Sequence, residues 1–372
     1  MPSLINQTPA VAPYTAHPPT TAVLDWAPLA TIDLSKFDAP GGKQALAKDL
    51  QEAMKRWSFW IVTNTGIPQE DVDRQLSIAN GFFQLPIEEK RKVSCDFSVG
   101  NYFGYREPTR FIGDSDVKEN METLNIPKFI PEYADVPQHD FTKALHAEIG
   151  PFHKALWDKV VRKLMVLFAI ILELPEQYFV ERHAYDRASE DHLRYLLYHP
   201  RSAEEDAKIG DQWSKGHTDN GSLTLLFSQN VAALQIRTLD NEWKWVKPVD
   251  GGITCNTADT LSFLTKGYIK STIHRVVRPP PDQSDLHRLG LLYFVRPGDD
   301  VDMVPAPSPV LRREGLLSKE DETGASSTEP VKGLEWVRTR VKNIHNGKAF
   351  RGGDKDGVMF SVKNLQVQDY YQ

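Results

Sequence analysis

His217 and Asp219 stand two residues apart, and His274 follows far downstream. On a β-strand, residues at i and i+2 point to the same face, so an imidazole and a carboxylate at this spacing can bind one metal ion. A second imidazole, His274, brought alongside by a neighbouring strand, would complete a set of two histidines and one carboxylate. Such a set occupies one face of an octahedral ion and leaves positions open, the arrangement in which a non-haem Fe(II) can bind both O2 and an organic ligand. An HxD pair alone is weak evidence. Its plain alternative is a surface turn in which Asp219 and Asn220 bond to nearby backbone.

The elements around these residues must place them. From His192 onward the apolar period is two: His192–Tyr198, Ser222–Phe227, Ala233–Arg237, Trp243–Lys247, Thr260–Leu264 and Leu291–Val295 are expected strands. Asn220-Gly221, Asp240-Asn241 and Asp250-Gly251-Gly252 supply the turns between them. Six short strands in succession predict an antiparallel double sheet or barrel. The N-terminal half is helical in pattern. Residues 43–56 and 69–84 have helical spacing, with the short apolar strand SFWIVTNTG between them. Across 141–174, Leu145, Ile149, Phe152, Leu156, Val160, Leu164 and Phe168 form one buried stripe, with Pro151 marking a kink or a helix start. Residues 1–24, rich in Pro, Thr and Ala, predict a flexible arm. Residues 319–330 predict an exposed loop, Gly333–Ile344 a last helix, and 346–372 a glycine-containing tail.

The bulk numbers exclude several classes. A chain of 372 residues with 40% apolar and 25% charged residues is an ordinary globular composition. Net charge is −6, with no basic stripe to meet phosphates, which argues against nucleic acid as partner. Two distant cysteines, Cys95 and Cys255, make no disulfide framework and suit a reducing compartment, hence a cytoplasmic location. The N-terminus lacks the basic and apolar regions of a secretory signal. The longest apolar run, Leu164–Leu172, is too short to span a bilayer, so no membrane role is expected. No heptad seam is visible, which leaves a monomer or a weak homo-oligomer.

Several motifs in order carry a family likeness. Ile269-Lys270-Ser271-Thr272-Ile273-His274-Arg275-Val276 resembles the YKSxxHRV strand of the 2-oxoglutarate- and Fe(II)-dependent oxygenases, in their isopenicillin N synthase-like branch. Asn256-Thr257-Ala258-Asp259-Thr260-Leu261 resembles the preceding NxGDxL strand, with Ala258 for glycine. Gly81-Phe82-Phe83-Gln84-Leu85-Pro86-Ile87-Glu88-Glu89-Lys90 resembles the GFFxLPxEEK signature, and Thr31-Ile32-Asp33-Leu34-Ser35 the opening strand. The likeness covers about residues 25–345. It implies one oxygenase domain, helical to about residue 190, with a distorted double-stranded β-helix, or jelly roll, over about 191–300: mainly β with flanking helices.

The resemblance also implies roles. His217, Asp219 and His274 would hold Fe(II) and form the catalytic centre. The cosubstrate 2-oxoglutarate would chelate the iron and go to succinate and CO2 as O2 is consumed, with ascorbate as an accessory reductant. Its far carboxylate needs a buried cation, and a guanidinium can bind both oxygens. Arg288-Leu289-Gly290 resembles the RxS motif that supplies it, with Gly290 where serine is usual. That replacement removes one hydroxyl donor, a loss of about 0.5–1.5 kcal/mol. Tyr198 resembles a tyrosine that reaches the same carboxylate, while Leu196 replaces the usual asparagine. Tyr102, Phe103, Tyr105 and Arg110, with Phe294, match regions that line the substrate cavity, and aromatic walls suit a planar or terpenoid small molecule. Arg275 is assigned to structure, and His199 and His287 are not required as ligands. The expected activity is oxidation of a small organic molecule, by hydroxylation, desaturation or ring chemistry, in specialised metabolism. The rivals are an iron oxidase that does not use 2-oxoglutarate, a catalytically silent binding protein of the same fold, and a zinc hydrolase, for which no general base is evident.

Overall fold

Alternating side chains build the sheet that carries the site. In the computed structural model, which describes residues 9–112, 115–319, 321, 329–345, 358–362 and 365–369, twelve strands precede the C-terminal helix. They are β1 (Thr31–Asp33), β2 (Phe59–Thr63), β3 (Gly104–Arg106), β4 (Met121–Pro127), β5 (His192–Tyr198) and β6 (Gln212–His217). The rest are β7 (Leu223–Phe227), β8 (Leu234–Arg237), β9 (Trp243–Trp245), β10 (Ile253–Thr257), β11 (His274–Val277) and β12 (Arg288–Val295). One sheet has the order β1-β2-β10-β7-β12-β5-β4-β3, and the second has β6-β11-β8-β9. The fold is the double-stranded β-helix, mainly β with flanking helices.

The two faces of the large sheet have different partners. Leu193, Tyr195 and Leu197 of β5, with Leu289, Leu291, Tyr293 and Val295 of β12, join the core formed with the helices. Their neighbours point into the barrel, where Leu196 and Tyr198 pack with Trp213, Ala233, Ile236 and Val276. The expected stripe from Leu145 to Phe168 is buried at every position. It runs through helices His146–Leu156 and Arg162–Ile171, joined by the π turn Trp157–Val161, with Pro151 inside the first. Residues 43–56 and 69–84 fold as helices Gly42–Arg56 and Gln69–Phe83.

Three local expectations differ. Thr260–Leu264 is not a strand: β10 stops at Thr257 and Asp259–Leu264 is a helix. Leu261 and Leu264, three apart, share a buried helical face, and Trp336 Nε1 donates to Thr260 Oγ1. β11 begins only at His274, so the preceding Lys270–Ile273 is not strand, although Ile273 O accepts from Arg237 N of β8 at 2.9 Å. β6 ends at His217, which leaves Asp219 in the turn leading to β7.

The segments beyond the barrel are partly described. Residues 9–24 have no helix or strand, yet they bond to it across long separations. Tyr14 N donates to Ser77 Oγ, Thr21 N to Asp282, and Gln283 Nε2 to Pro18 O. Gly333–His345 is the expected last helix. Most of the loop expected at 319–330, and the tail over 346–357, lie outside the described residues. Val358–Val362 and Leu365–Asp369 form a hairpin.

Candidate metal centre and cosubstrate pocket

The end of β6 and the start of β11 lie side by side, with His217 opposite His274. Their rings are 4.4 Å apart, centroid to centroid. Asp219 Oδ1 lies 4.0 Å from His217 Nε2 and 3.8 Å from His274 Nε2. These three residues are the one group of three or more potential metal ligands among the described residues, with donor atoms within 4.8 Å of one another.

The surroundings orient each donor. His217 Nδ1 donates to Lys215 O at 2.7 Å and His274 Nδ1 to Thr272 O at 3.2 Å. A carbonyl only accepts, so Nδ1 carries the proton in each ring and the lone pair is on Nε2, the nitrogen nearer Asp219 Oδ1. Asp219 Oδ2 accepts from Thr224 Oγ1 at 2.7 Å and Asn256 Nδ2 at 2.8 Å, which leaves Oδ1 toward the histidines. Burial, then the neighbouring His274, pushes the His217 pKa down to about 4, so that imidazole is neutral at physiological pH. Asp219 is held below its ordinary value: burial opposes ionisation, but His274, His217 and the two hydrogen bonds outweigh it. Two imidazoles and an ionised carboxylate fit a divalent ion.

A second layer supports the Asp219 turn. Asp259 N donates to Asp219 O at 2.9 Å, and Thr218 Oγ1 donates to Asp259 Oδ2. Arg340, wholly buried on the C-terminal helix, donates to the same Asp259 oxygen. Sequence reasoning noticed Asp259 only as part of a motif. Asn256 was noticed only within the same motif, and Thr224 and Arg340 carried no local signal.

Arg288 begins β12, buried to 4% exposure. Its Nε donates to Val231 O at 3.3 Å, and its guanidinium lies 5.7 Å from the Tyr198 ring. No carboxylate pairs with it among the described residues, and burial pushes its pKa down to about 10. A desolvated guanidinium without a counterion is a site prepared for an anion. A void of about 20 Å³ opens beside it, between Leu226, Ala233, Val246 and Thr254, more than the ~10–15 Å³ that admits one water. Tyr198 faces Arg288 across the β5–β12 register and stacks on Trp213. A larger cavity of about 440 Å³ lies between the N-terminal segment, helix Gln69–Phe83 and Arg288, and no ligand of the triad lines it.

Gly290 has a structural reason. A Cβ there would fall 2.3 Å from Gln229 Nε2 and 3.1 Å from Leu196 Cδ2. The Gln229 amide, which donates to Leu289 O at 2.8 Å, fills the space a serine would need. No short-range pattern could have paired residues 229 and 290.

The expected substrate residues divide. Tyr102 and Phe294 both stack on the His192 ring, at 5.8 and 5.0 Å. Phe103 is buried against Tyr133 and His192. Tyr105 does not join them. It packs edge-on to Phe82 in the helical core, and its hydroxyl donates to Glu122 at 2.5 Å. Strand alternation turns it to the opposite sheet face. Arg110 lies in the loop after β3, half-buried, with its backbone bonded to Glu119. Arg275 bonds Gln235 and covers the Trp243 ring. His199 bonds Glu122 and packs against His287, away from the triad.

The comparisons with known proteins agree with this geometry. Residues 29–145 match the model of the non-haem dioxygenase in morphine synthesis N-terminal family, and 189–297 that of the 2OG-Fe(II) oxygenase superfamily. A UPF0676 protein of Schizosaccharomyces pombe is 29% identical over 350 residues, spanning 88% of this chain and 97% of its own length. Naringenin,2-oxoglutarate 3-dioxygenase of Matthiola incana is 27% identical over 332 residues, spanning 85% and 86%. Among solved structures, a full-length Neurospora crassa protein in complex with alpha-KG superposes with a TM-score of 0.70 at 22% identity, covering 84% of this chain and 95% of that one. The site and fold define a non-haem iron oxygenase. This chain belongs to the 2OG-Fe(II) oxygenase superfamily, and its cofactors are Fe(II) and 2-oxoglutarate. No helix among the described residues is long and apolar enough to cross a membrane.

Proposed function

We propose that this 2-oxoglutarate-dependent dioxygenase hydroxylates, desaturates or oxidatively cyclises a small organic molecule in specialised metabolism, as a monomer or weak homo-oligomer in a reducing, cytoplasmic setting. His217, Asp219 and His274 would hold Fe(II), and Arg288 with Tyr198 the far carboxylate of 2-oxoglutarate. The observation that carries this reading is the buried Arg288, which has no acid partner among the described residues, on the sheet whose Thr224 orients Asp219.

When bound, the iron and its cosubstrate supply the oxidising chemistry, consuming O2 and releasing succinate and CO2, with ascorbate able to restore Fe(II). The protein positions. Lys215 O and Thr272 O fix the imidazole tautomers, and Asn256 and Thr224 hold one carboxylate oxygen so that the other faces the ion. The apolar interior around Leu196, Ile236 and Val276 excludes water, which strengthens every charge interaction inside and limits side reactions. Arg288 also favours this reading over an oxidase without 2-oxoglutarate, since the far carboxylate of 2-oxoglutarate would compensate the buried cation.

The test is aerobic incubation with Fe(II), 2-oxoglutarate and ascorbate over a library of small aromatic and alicyclic molecules. Succinate release coupled to a product heavier by one oxygen, or lighter by two hydrogens, is expected, and His217→Ala should abolish it. Iron-dependent product without succinate would replace this reading with the oxidase.

A further inference from the structure

One cation on the barrel's inner face is not used by the iron or by 2-oxoglutarate. Arg194 lies on β5 between His192 and Leu196. Cross-strand partners in an antiparallel sheet share a face. Arg194 shares its face with His192, which pairs with Phe294 on β12, which pairs with Thr224 on β7. Thr224 donates to Asp219. Arg194 is therefore on the same wall as the carboxylate ligand, two residues further along β5 than His192 and four before Tyr198.

The guanidinium is held in place without being neutralised. Arg194 Nε donates to Asn125 Oδ1 at 2.7 Å, and Asn125 Nδ2 donates to Tyr102 O at 2.6 Å. Arg194 Nη2 lies 3.4 Å from His192 Nε2. Its carbon centre sits 4.4 Å from the Phe294 ring centroid and 5.2 Å from that of Tyr102. No carboxylate pairs with it among the described residues. On the same face Arg106 differs, being bonded to Glu119. A neutral amide orients Arg194 and aromatic faces flank it, while part of its fork remains for a bidentate acceptor.

We infer that Arg194, oriented by Asn125 and flanked by Tyr102 and Phe294, binds a carboxylate on the substrate, so that the substrate class is small organic acids with an aromatic or alicyclic body. The inference rests on the oxygenase reading and narrows it. The rings would cover the body of the acid, and the guanidinium would fix its orientation against the iron. Matched acids and esters should differ strongly, because a charge-assisted bidentate contact contributes roughly tenfold to hundredfold in affinity.

The test uses full-length protein loaded anaerobically with Fe(II) and 2-oxoglutarate. Phenylacetate, trans-cinnamate and 1-naphthylacetate are titrated beside their methyl esters. Binding is read by ligand-observed NMR and by the shift of the cosubstrate charge-transfer band. The expected result is at least one acid bound tenfold or more tightly than its ester. Arg194→Met should reduce that preference to about twofold, Arg194→Lys should retain part of it, and the affinity for 2-oxoglutarate should change less than threefold in both. Unchanged 2-oxoglutarate binding also certifies that the variants fold. Acids and esters bound alike, or no acid bound, would overturn the inference. So would a tenfold loss of 2-oxoglutarate affinity in Arg194→Met, which would assign Arg194 to the cosubstrate. Absence of the charge-transfer band in the parent protein would instead strike the oxygenase reading, and the NMR preference reports on Arg194 independently of it.

Discussion

Replacing Arg288 with methionine separates a binding role from a structural one. The side chain is buried, and among the described residues its one hydrogen bond is an Nε contact of 3.3 Å to Val231 O. Burial lowers its pKa from 12.5 to about 10, and at about 1.4 kcal/mol per unit that is a cost of about 3 kcal/mol for keeping the charge in the folded protein. Methionine fills similar volume and removes the charge, so the protein without cosubstrate should melt at the same temperature or higher. Cosubstrate binding should move the other way. Two charge-assisted hydrogen bonds at about 1.5–3 kcal/mol each make a loss of about two to four orders of magnitude in affinity the expected outcome. Anaerobic calorimetric titration of 2-oxoglutarate into Fe(II)-loaded protein measures the second effect, and thermal unfolding the first. An affinity within threefold of the parent, or a clear loss of stability in the absence of 2-oxoglutarate, would refute the reasoning, since either makes Arg288 a packing residue.

Further outcomes follow from other contacts. Gly290→Ser should cost about 1–3 kcal/mol through overpacking against Gln229 and Leu196, and adding Gln229→Ala should recover most of it, as unfolding of the single and double variants would show; equal stability of Gly290→Ser and parent would rule out the clash. Arg340→Met breaks a buried ion pair with Asp259, a loss of about 3–5 kcal/mol, and should weaken iron binding about 10–100-fold through the Asp219 turn. Competition with a chelator reads the second effect, and unchanged iron affinity would confine Arg340 to stability. His153, wholly buried beside Tyr293, Tyr185 and Phe129, has its pKa pushed down by burial to about 3 from an ordinary 6.5. The unfolded chain therefore takes up a proton that the folded one refuses, and stability falls as pH drops from 6.5 toward 3. At pH 5 the His153 share is about 2 kcal/mol, so His153→Phe should flatten the acid limb of a plot of melting temperature against pH; a parallel limb would contradict it.

What the sequence revealed was local, and what it hid was paired across the chain. His192–Tyr198 was legible to the residue because it is a short run rich in apolar and aromatic side chains, of which all but Arg194 are buried. The stripe from Leu145 to Phe168 was legible for the same reason at helical period. Six residues, Asp259–Leu264, are too few to separate the two periods, and there the contacts of Thr260 with Trp336 and of Asp259 with Arg340 select the helix. The proline- and threonine-rich segment before residue 25 reads as loose by composition, yet its polar groups bond Asp282, Asn230 and Ser77, far along the chain. Residue type and spacing singled out the triad and the family resemblance assigned it; its three donors lie together, although Asp219 sits after the strand and not on it. Gln229 against Gly290, and Arg194 beside Phe294, exist only through register and packing.

The central claim is that His217, Asp219 and His274 hold an iron that 2-oxoglutarate then joins. Anaerobic titration of the purified protein with Fe(II), followed by 2-oxoglutarate, tests it directly through the visible metal-to-ligand charge-transfer band. The account predicts a band that saturates at one iron and one 2-oxoglutarate per chain and is absent in Asp219→Ala. Iron bound with no band, or a band that survives Asp219→Ala unchanged, would contradict it.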